Sequence, residues 1–324
     1  MSKPVWIVLV VTFAGLLAAG LLWLGGPPRP PTRPAPEADT RPRAGRPLVI
    51  GLIPERDPLA LHRQYQQLAD YLADAMDRPV ELATMSTYEG ILADFAEKKV
   101  DGAFLGSLVT VLVVDRQGAR VLAKPELPGN ATTYTGVLIV RDDSPVKTLA
   151  DLPGRQIAMV KTTTAGHLYP YYLLVTSGLL DRPDAPRPLW AGTHDDVVQA
   201  VVDGTADAGA VKNLRLDEVL ARHPDWKVRR LATSAAAPTN ALVVRGDMPA
   251  EVAGPLAATL MGMDKDPRGR EALAALGMRR FMPCRIEEYG AIYDMAAALT
   301  PVWARTGIGG SAPRSPASAP ARQE

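Results

Sequence analysis

Three threonines and a glycine stand where a strand hands over to a helix, in the stretch VKTTTAGHLYPYYLL at residues 160–174. Such a junction leaves the backbone N–H groups of the first helical turn without partners, at the positive end of the helix dipole. Hydroxyls there either cap the helix or help those N–H groups to hold an anion. Both readings are open from these residues alone. Other reactive groups are sparse. The four histidines, His62, His167, His194 and His223, are scattered and form no HxxxH pair, so no metal site is expected. The single cysteine, Cys284, excludes an internal disulfide and a multi-cysteine metal site. It is either an inert half-buried thiol or a soft ligand. There is no Walker loop and no GxSxG, and the cluster GIGG at 307–310 lies in a low-complexity tail. Nucleotide binding and serine hydrolysis therefore have no support, and no cofactor is expected. The net charge is +1, which gives no global field for nucleic acid. An anion site has to be local.

The elements that must position these groups alternate. PLVIGLI is a buried strand. The next segment places Leu61, Tyr65, Leu68, Leu72 and Met76 on one helical face. PVELATM, VDGAFLG, RVLAK and TGVLIVR follow as strands, with helices in TYEGILADFAEKK and LVTVLVVDRQG. A second unit begins near Ser144: QIAMV, RPLWAG, ADAGAV and VRRLATS as strands, with helices after the threonines and in HDDVVQAVVDG. NALVVR is a strand leading back, and 250–300 is mostly helical. Repeated strand–helix units imply α/β layers with ligands at the carboxyl ends of strands. Two units suggest two lobes with a cleft, and GVLIVR and ALVVR are expected to be the hinge crossings.

The ends differ in kind. Residues 5–25 carry no charge and are long enough, at about 1.5 Å per residue, to cross a ~30 Å hydrocarbon core. An uncleaved membrane helix is the reading taken for 1–26, with a cleaved signal as the alternative. Residues 27–47 form a proline-rich linker, and 304–324 is expected to be disordered by composition.

Five patterns, IGLIPERDP, YEGILADFAEKKVDGAFLG, TYTGVLIVRDDSPVKTLADLPG, TTAGHLYPYYLL and AGTHDDVVQAVVDGTADAGAV, occur in that order. Together they resemble the periplasmic phosphate/phosphite/phosphonate-binding family of ABC transporters over about residues 48–285. The resemblance implies a two-lobed α/β binding protein (a type II Venus flytrap), which would follow the N-terminal transmembrane helix expected from residues 5–25. Lobe 1 would be 48–141, lobe 2 142–238, with a return to lobe 1 over 239–303. It also implies a place on the periplasmic side of the cytoplasmic membrane, a small phosphorus oxyanion as ligand, and an ABC permease as partner. A tethered subunit reporting to a membrane sensor kinase is the alternative, and an enzyme on the same fold a remote one.

The resemblance carries over to particular residues. Thr163 and Thr164 match the first two hydroxyls of an anion loop, with Ala165 where a third would stand. Tyr88 and Tyr134 match two tyrosines facing the cleft from lobe 1, against core packing for Tyr88. Ser107 ends a strand beside further N–H groups. His194 matches a histidine at a helix start, against a plain N-cap. Asp207 matches a carboxylate at a strand end, against a surface turn residue. A cleft carboxylate would favour ligands bringing a proton or an amine and would reject sulfate. Lys161 is read as a solvated loop lysine, or as a source of charge for the anion loop.

Overall fold

The computed structural model describes residues 45–53, 58–85, 87 and 90–315. The uncharged span 5–25, the linker up to residue 44 and Tyr88 lie outside the described residues. No helix among the described residues is long and apolar enough to cross a membrane.

Two sheets organise the chain. The first has the order β11-β4-β10-β3-β1-β2, built from β1 (Leu48–Leu52), β2 (Val80–Thr84), β3 (Gly102–Leu105), β4 (Arg120–Glu126), β10 (Ala241–Val244) and β11 (Arg280–Pro283). β1 pairs parallel with β2 and β3, while β10 runs antiparallel to β3 and β4. The second has the order β7-β6-β8-β5-β9, built from β5 (Thr133–Arg141), β6 (Gln156–Val160), β7 (Arg187–Ala191), β8 (Ala208–Lys212) and β9 (Val228–Pro238). β6 lies parallel between β7 and β8, and β5 runs antiparallel to β8 and β9.

Apolar periodicity explains the helices. In α1 (Pro58–Ala75), Leu61, Tyr65, Leu68 and Leu72 are buried together with Leu48, Ile50 and Leu52 of β1. Packing in the second sheet is tight enough to dictate glycine at one position. A Cβ on Gly209 of β8 would come within 2.7 Å of Val197 and Val201 in α5 (His194–Val202). In α3 (Ser107–Gln117) every residue from Ser107 to Val113 is buried. A helix apolar all round has protein on all sides. Leu108, Val111 and Leu112 share a core with Leu168, Tyr169 and Leu174 of the second unit, so α3 lies at the interface of the two lobes.

Three boundaries differ from the sequence expectation. β5 belongs wholly to the second sheet, so lobe 1 ends near Glu126 and the crossings are 127–132 and 239–240. GVLIVR and ALVVR are strands inside the lobes; apolar runs mark burial, and both the sheet and a crossing can supply it. The return after β10 does not stay with the first sheet. α9 (Gly290–Leu299) buries Ile292, Tyr293 and Leu299 in the core that holds α4 (Tyr169–Thr176). Residues 304–315, expected to lack structure, pack on the protein. The short α10 (Trp303–Thr306) buries Trp303 and Thr306, and Ile308 is 3% exposed. Arg116 of α3 donates to the Gly309 carbonyl at 2.7 Å, and Arg305 pairs with Asp181 at 2.7 Å. A few anchoring side chains outweigh a composition that is otherwise that of a linker.

Candidate functional site

Parallel strands of both sheets (β1, β3, β6, β7 and β8) point their carboxyl ends at a partly open cavity of about 20 Å³. That is room for a water-sized centre, near the ~10–15 Å³ that one water needs. From lobe 1 the walls include Ile53, Gly106 and Leu108; from lobe 2, Thr162–Ala165, His194 and Lys212; and Tyr134 and Asn240 come from beside the crossings.

The threonine junction is built by local backbone geometry. Thr162 adopts a left-handed φ of +56°, which costs a β-branched residue on the order of 1–2 kcal/mol. Its N–H donates to His167 Nδ1 at 2.8 Å. Because Nδ1 accepts, the His167 proton sits on Nε2 and is donated to the Thr306 carbonyl, 2.7 Å away. The turn is thus clamped by the C-terminal segment. Thr163 is the N-cap of a single π-helical turn (Thr164–Leu168) that runs into α4. Its hydroxyl donates to Val160 O at 2.9 Å and accepts from Gly166 N at 3.0 Å. A Cβ on Gly166 would meet Thr163 Oγ1 at 2.8 Å, so glycine is needed for the cap to close. The capping is done by Thr163 and not by Thr162.

Thr164 faces the other way. Its hydroxyl accepts from Leu108 N, 2.8 Å away in the first turn of α3. This joins the lobes across the cavity and leaves the hydroxyl proton to donate. Gly106, the N-cap of α3, offers no side-chain cap, so that helix start takes its acceptor from lobe 2. Ala165 lines the cavity beside Thr164, with its backbone N–H in the first turn, where helices lack internal acceptors.

His194 is the first residue of α5, buried, with Thr193 as the N-cap in a capping box with Asp196. It lines the cavity and is not itself the cap. Asp195 pins this turn to α6 (Asn213–Arg222), through Arg215 at 2.6 Å and Arg222 at 2.8 Å. Burial pushes the Asp195 carboxyl up, but the hydrogen bonds from Arg222 and Arg215 hold it below the usual range.

Ser107 and Tyr134 hold each other. Ser107 Oγ donates to Pro238 O at 2.9 Å and lies 3.2 Å from the Tyr134 hydroxyl. With its one proton directed to Pro238, Ser107 is the acceptor for Tyr134. Ser107 is therefore a brace at the hinge, and Tyr134, on β5, enters the cavity from the second sheet and not from lobe 1. Tyr134 presents its ring face: Lys212 Nζ sits 4.6 Å above the ring centroid.

Asp207 is not at the cavity. It precedes the first residue of β8, and its carboxylate accepts from Arg155 at 3.1 Å and from Gln156 N at 2.9 Å. The strand runs from there for five residues, about 16 Å at ~3.3 Å each, before it reaches the cleft. The group delivered there is Lys212, 8% exposed, with Nζ 3.2 Å from Asn240 Oδ1. Sequence reasoning missed Lys212 and Asn240. Lys212 had a signal: it ends a parallel strand, where α/β ligands sit. Asn240, in a two-residue crossing, had none. Lys161 is exposed, with Nζ 5.5 Å from the Trp190 ring centroid, and does not line the cavity. Cys284 is also elsewhere, in the core with Tyr289, where burial pushes its thiol up to about 11.

Chemically, the cavity gathers the starts of α3, the threonine turn, α5 and α6 with one ammonium and one imidazole. All the dipoles present their positive ends. No grouping of His, Cys, Asp and Glu suited to a metal occurs among the described residues.

The family model described as "ABC transporter, phosphonate, periplasmic substrate-binding protein" matches residues 50–289. The chain is similar to a phosphate-import protein of Mycolicibacterium smegmatis, at 28% identity over 57% of this chain and 61% of that one. The chain thus spans about three-fifths of that relative's length. It is 25% identical to the phosphonates-binding periplasmic protein of Escherichia coli, over 72% of this chain and 71% of the other. Among solved structures, a Prochlorococcus marinus protein in complex with methylphosphonate superposes with a TM-score of 0.68 at 20% identity, over 78% of this chain and 98% of that one. A binding-protein component of a Pseudomonas aeruginosa phosphonate transporter gives 0.71 at 19%, over 82% and 91%. At that identity the two structures speak for the fold.

Proposed function

The chain belongs to the family of periplasmic phosphonate substrate-binding proteins of ABC transporters, and from that premise we propose that it captures a small phosphorus oxyanion between its lobes and presents it to an ABC permease. The observation that carries this reading is the Thr164–Leu108 bridge across a cavity ringed by helix starts. An oxyanion entering there accepts from Leu108 N in place of the Thr164 hydroxyl, and Thr164 then donates to the same anion. Donors from both lobes on one ligand make closure and binding a single event. The backbone N–H of Ala165 supplies a further donor, the side chains of His194 and Lys212 line the same cavity, and Tyr88 is a further candidate from lobe 1. Each hydrogen bond to a charged ligand contributes about 1.5–3 kcal/mol.

Calorimetric titration with phosphate, phosphite and methylphosphonate tests the reading. At least one is expected to bind at micromolar concentration or below; no heat from any of them at millimolar concentration refutes it. The uncharged span 5–25 supports a tether on the periplasmic side of the membrane. Its test is fractionation: the protein should sediment with membranes, and recovery as a soluble species beginning near residue 26 refutes the tether.

A further inference from the structure

We propose that residues 303–314 form a strap that fastens the two lobes together at the end of α3 far from the cleft, with Arg116 as the positioning residue through which it holds the ligand-gripping arrangement. The inference rests on the oxyanion reading above and adds to it what sets closure. The strap leaves α9 on the lobe 2 side. Trp303 and Ile308 are buried in the core that holds Leu168, Tyr169 and Leu174. Thr306 O accepts from His167 Nε2–H at 2.7 Å. Arg305 pairs with Asp181 and donates to Leu180 O at 3.2 Å.

After Ile308 the partners change lobe. Arg116 donates to the carbonyls of Gly309, at 2.7 Å, and of Ser311. Arg314 N donates to Asp115 Oδ1 at 3.2 Å. Asp115 and Arg116 stand in the last turn of α3, and that turn is fixed to lobe 1. Gln117 Nε2 donates to Leu92 O at 2.7 Å in α2 (Gly90–Ala96), and Gly118 caps the helix in the left-handed region before β4 begins. Gly310 lies flat against the guanidinium, since a Cβ there would fall 2.7–2.9 Å from its atoms. The catch is therefore fitted, and its donor is charged, which makes the stronger kind of hydrogen bond.

Thus α3 carries an interlobe contact at each end. Its start gives Leu108 N to Thr164 across the cavity, and its end is clasped by the strap. Eleven residues put about 15 Å between the two, at ~1.5 Å rise each. Both contacts are made in the same arrangement of the lobes. A contact made in one arrangement and lost in another shifts the balance toward the first. Undoing the catch should free Leu108 N and weaken retention of the ligand, although Arg116 does not line the cavity.

The test is hydrogen–deuterium exchange on the full chain in detergent micelles without ligand, followed by binding kinetics with methylphosphonate and with inorganic phosphate. Arg116→Met keeps the apolar stem and removes the donors. Gly310→Val leaves Arg116 in place and drives the strap off it, because φ there is +71° and a Cβ has no room; this variant covers failure of the first to fold. In each, the peptides carrying Leu108 and Thr164 should exchange at least about tenfold faster than in the unmutated protein. Dissociation of whichever anion binds should be about tenfold faster and association within about twofold, so that Kd rises about tenfold. A merely structural role confines the faster exchange to 113–118 and 303–315 and leaves dissociation unchanged, and that result overturns the proposal. Unchanged exchange throughout overturns it as well. If neither anion binds the unmutated protein, the oxyanion reading fails, and exchange at Leu108 decides the strap by itself.

Discussion

The two strand-to-helix junctions that face each other across the cleft solve the same problem in opposite ways. In lobe 2, β6 ends in a left-handed Thr162, and Thr163 closes the first turn on itself by accepting from Gly166 N. In lobe 1, β3 runs through Gly106 into α3 with no side-chain cap, and Leu108 N takes its acceptor from Thr164 of the other lobe. One helix start is complete within its own lobe; the other is completed from outside. A self-capped start gives a rigid platform. A start that borrows its acceptor can exchange that acceptor for a ligand oxygen, and this is what makes an interlobe cavity a binding site and not merely a seam.

The self-contained junction has a remote support whose removal is the strongest way to break the contrast. His167 Nε2–H reaches Thr306 O, and the same C-terminal segment buries Trp303 and Ile308. Deleting residues 302–324 should destabilise the fold by at least ~3–5 kcal/mol, the range for truncating one buried aromatic, and should loosen the threonine turn. Urea unfolding of the truncated chain measures this; an unchanged midpoint would show the segment to be an accessory.

The contrast sharpens in a pair of isosteric changes. Thr164→Val should weaken oxyanion binding by about 10- to 100-fold, one charge-assisted hydrogen bond, with a stability cost of about 1 kcal/mol or less if water entering the cavity takes over Leu108 N. Thr163→Val should do the reverse: about 1–2 kcal/mol of stability lost with the cap, and a smaller effect on affinity than its neighbour. Titration and chemical denaturation of both variants check the pair. Equal effects of the two on binding would dissolve the distinction between platform and bridge.

The smallest effect is expected at Asp207. Asp207→Asn keeps one acceptor for Gln156 N and loses the charge facing Arg155, a partly exposed pair with 42% of the arginine and 34% of the aspartate side chain accessible. The cost should be ~1 kcal/mol or less, with the ligand dissociation constant within about twofold. A larger change in ligand preference would return this carboxylate to the cleft.

Much of this was legible in the residue order. The periods of Leu61, Tyr65, Leu68 and Leu72 and of the buried strands are local signals, and they gave helices and strands where the structure has them. Hydroxyls at the start of a helix are also local, which is why residues 162–164 stood out as a junction. Sequence could not decide which hydroxyl caps and which bridges. That depends on the positive φ of Thr162, on a histidine held by a carbonyl 139 positions away, and on a helix start in the other lobe. Nor could it separate Asp207 from Lys212, two polar ends of one strand. A strand's period says that its residues alternate between faces; only the direction of the strand in its sheet, and the sheet's place against its partner lobe, determine which end meets the ligand.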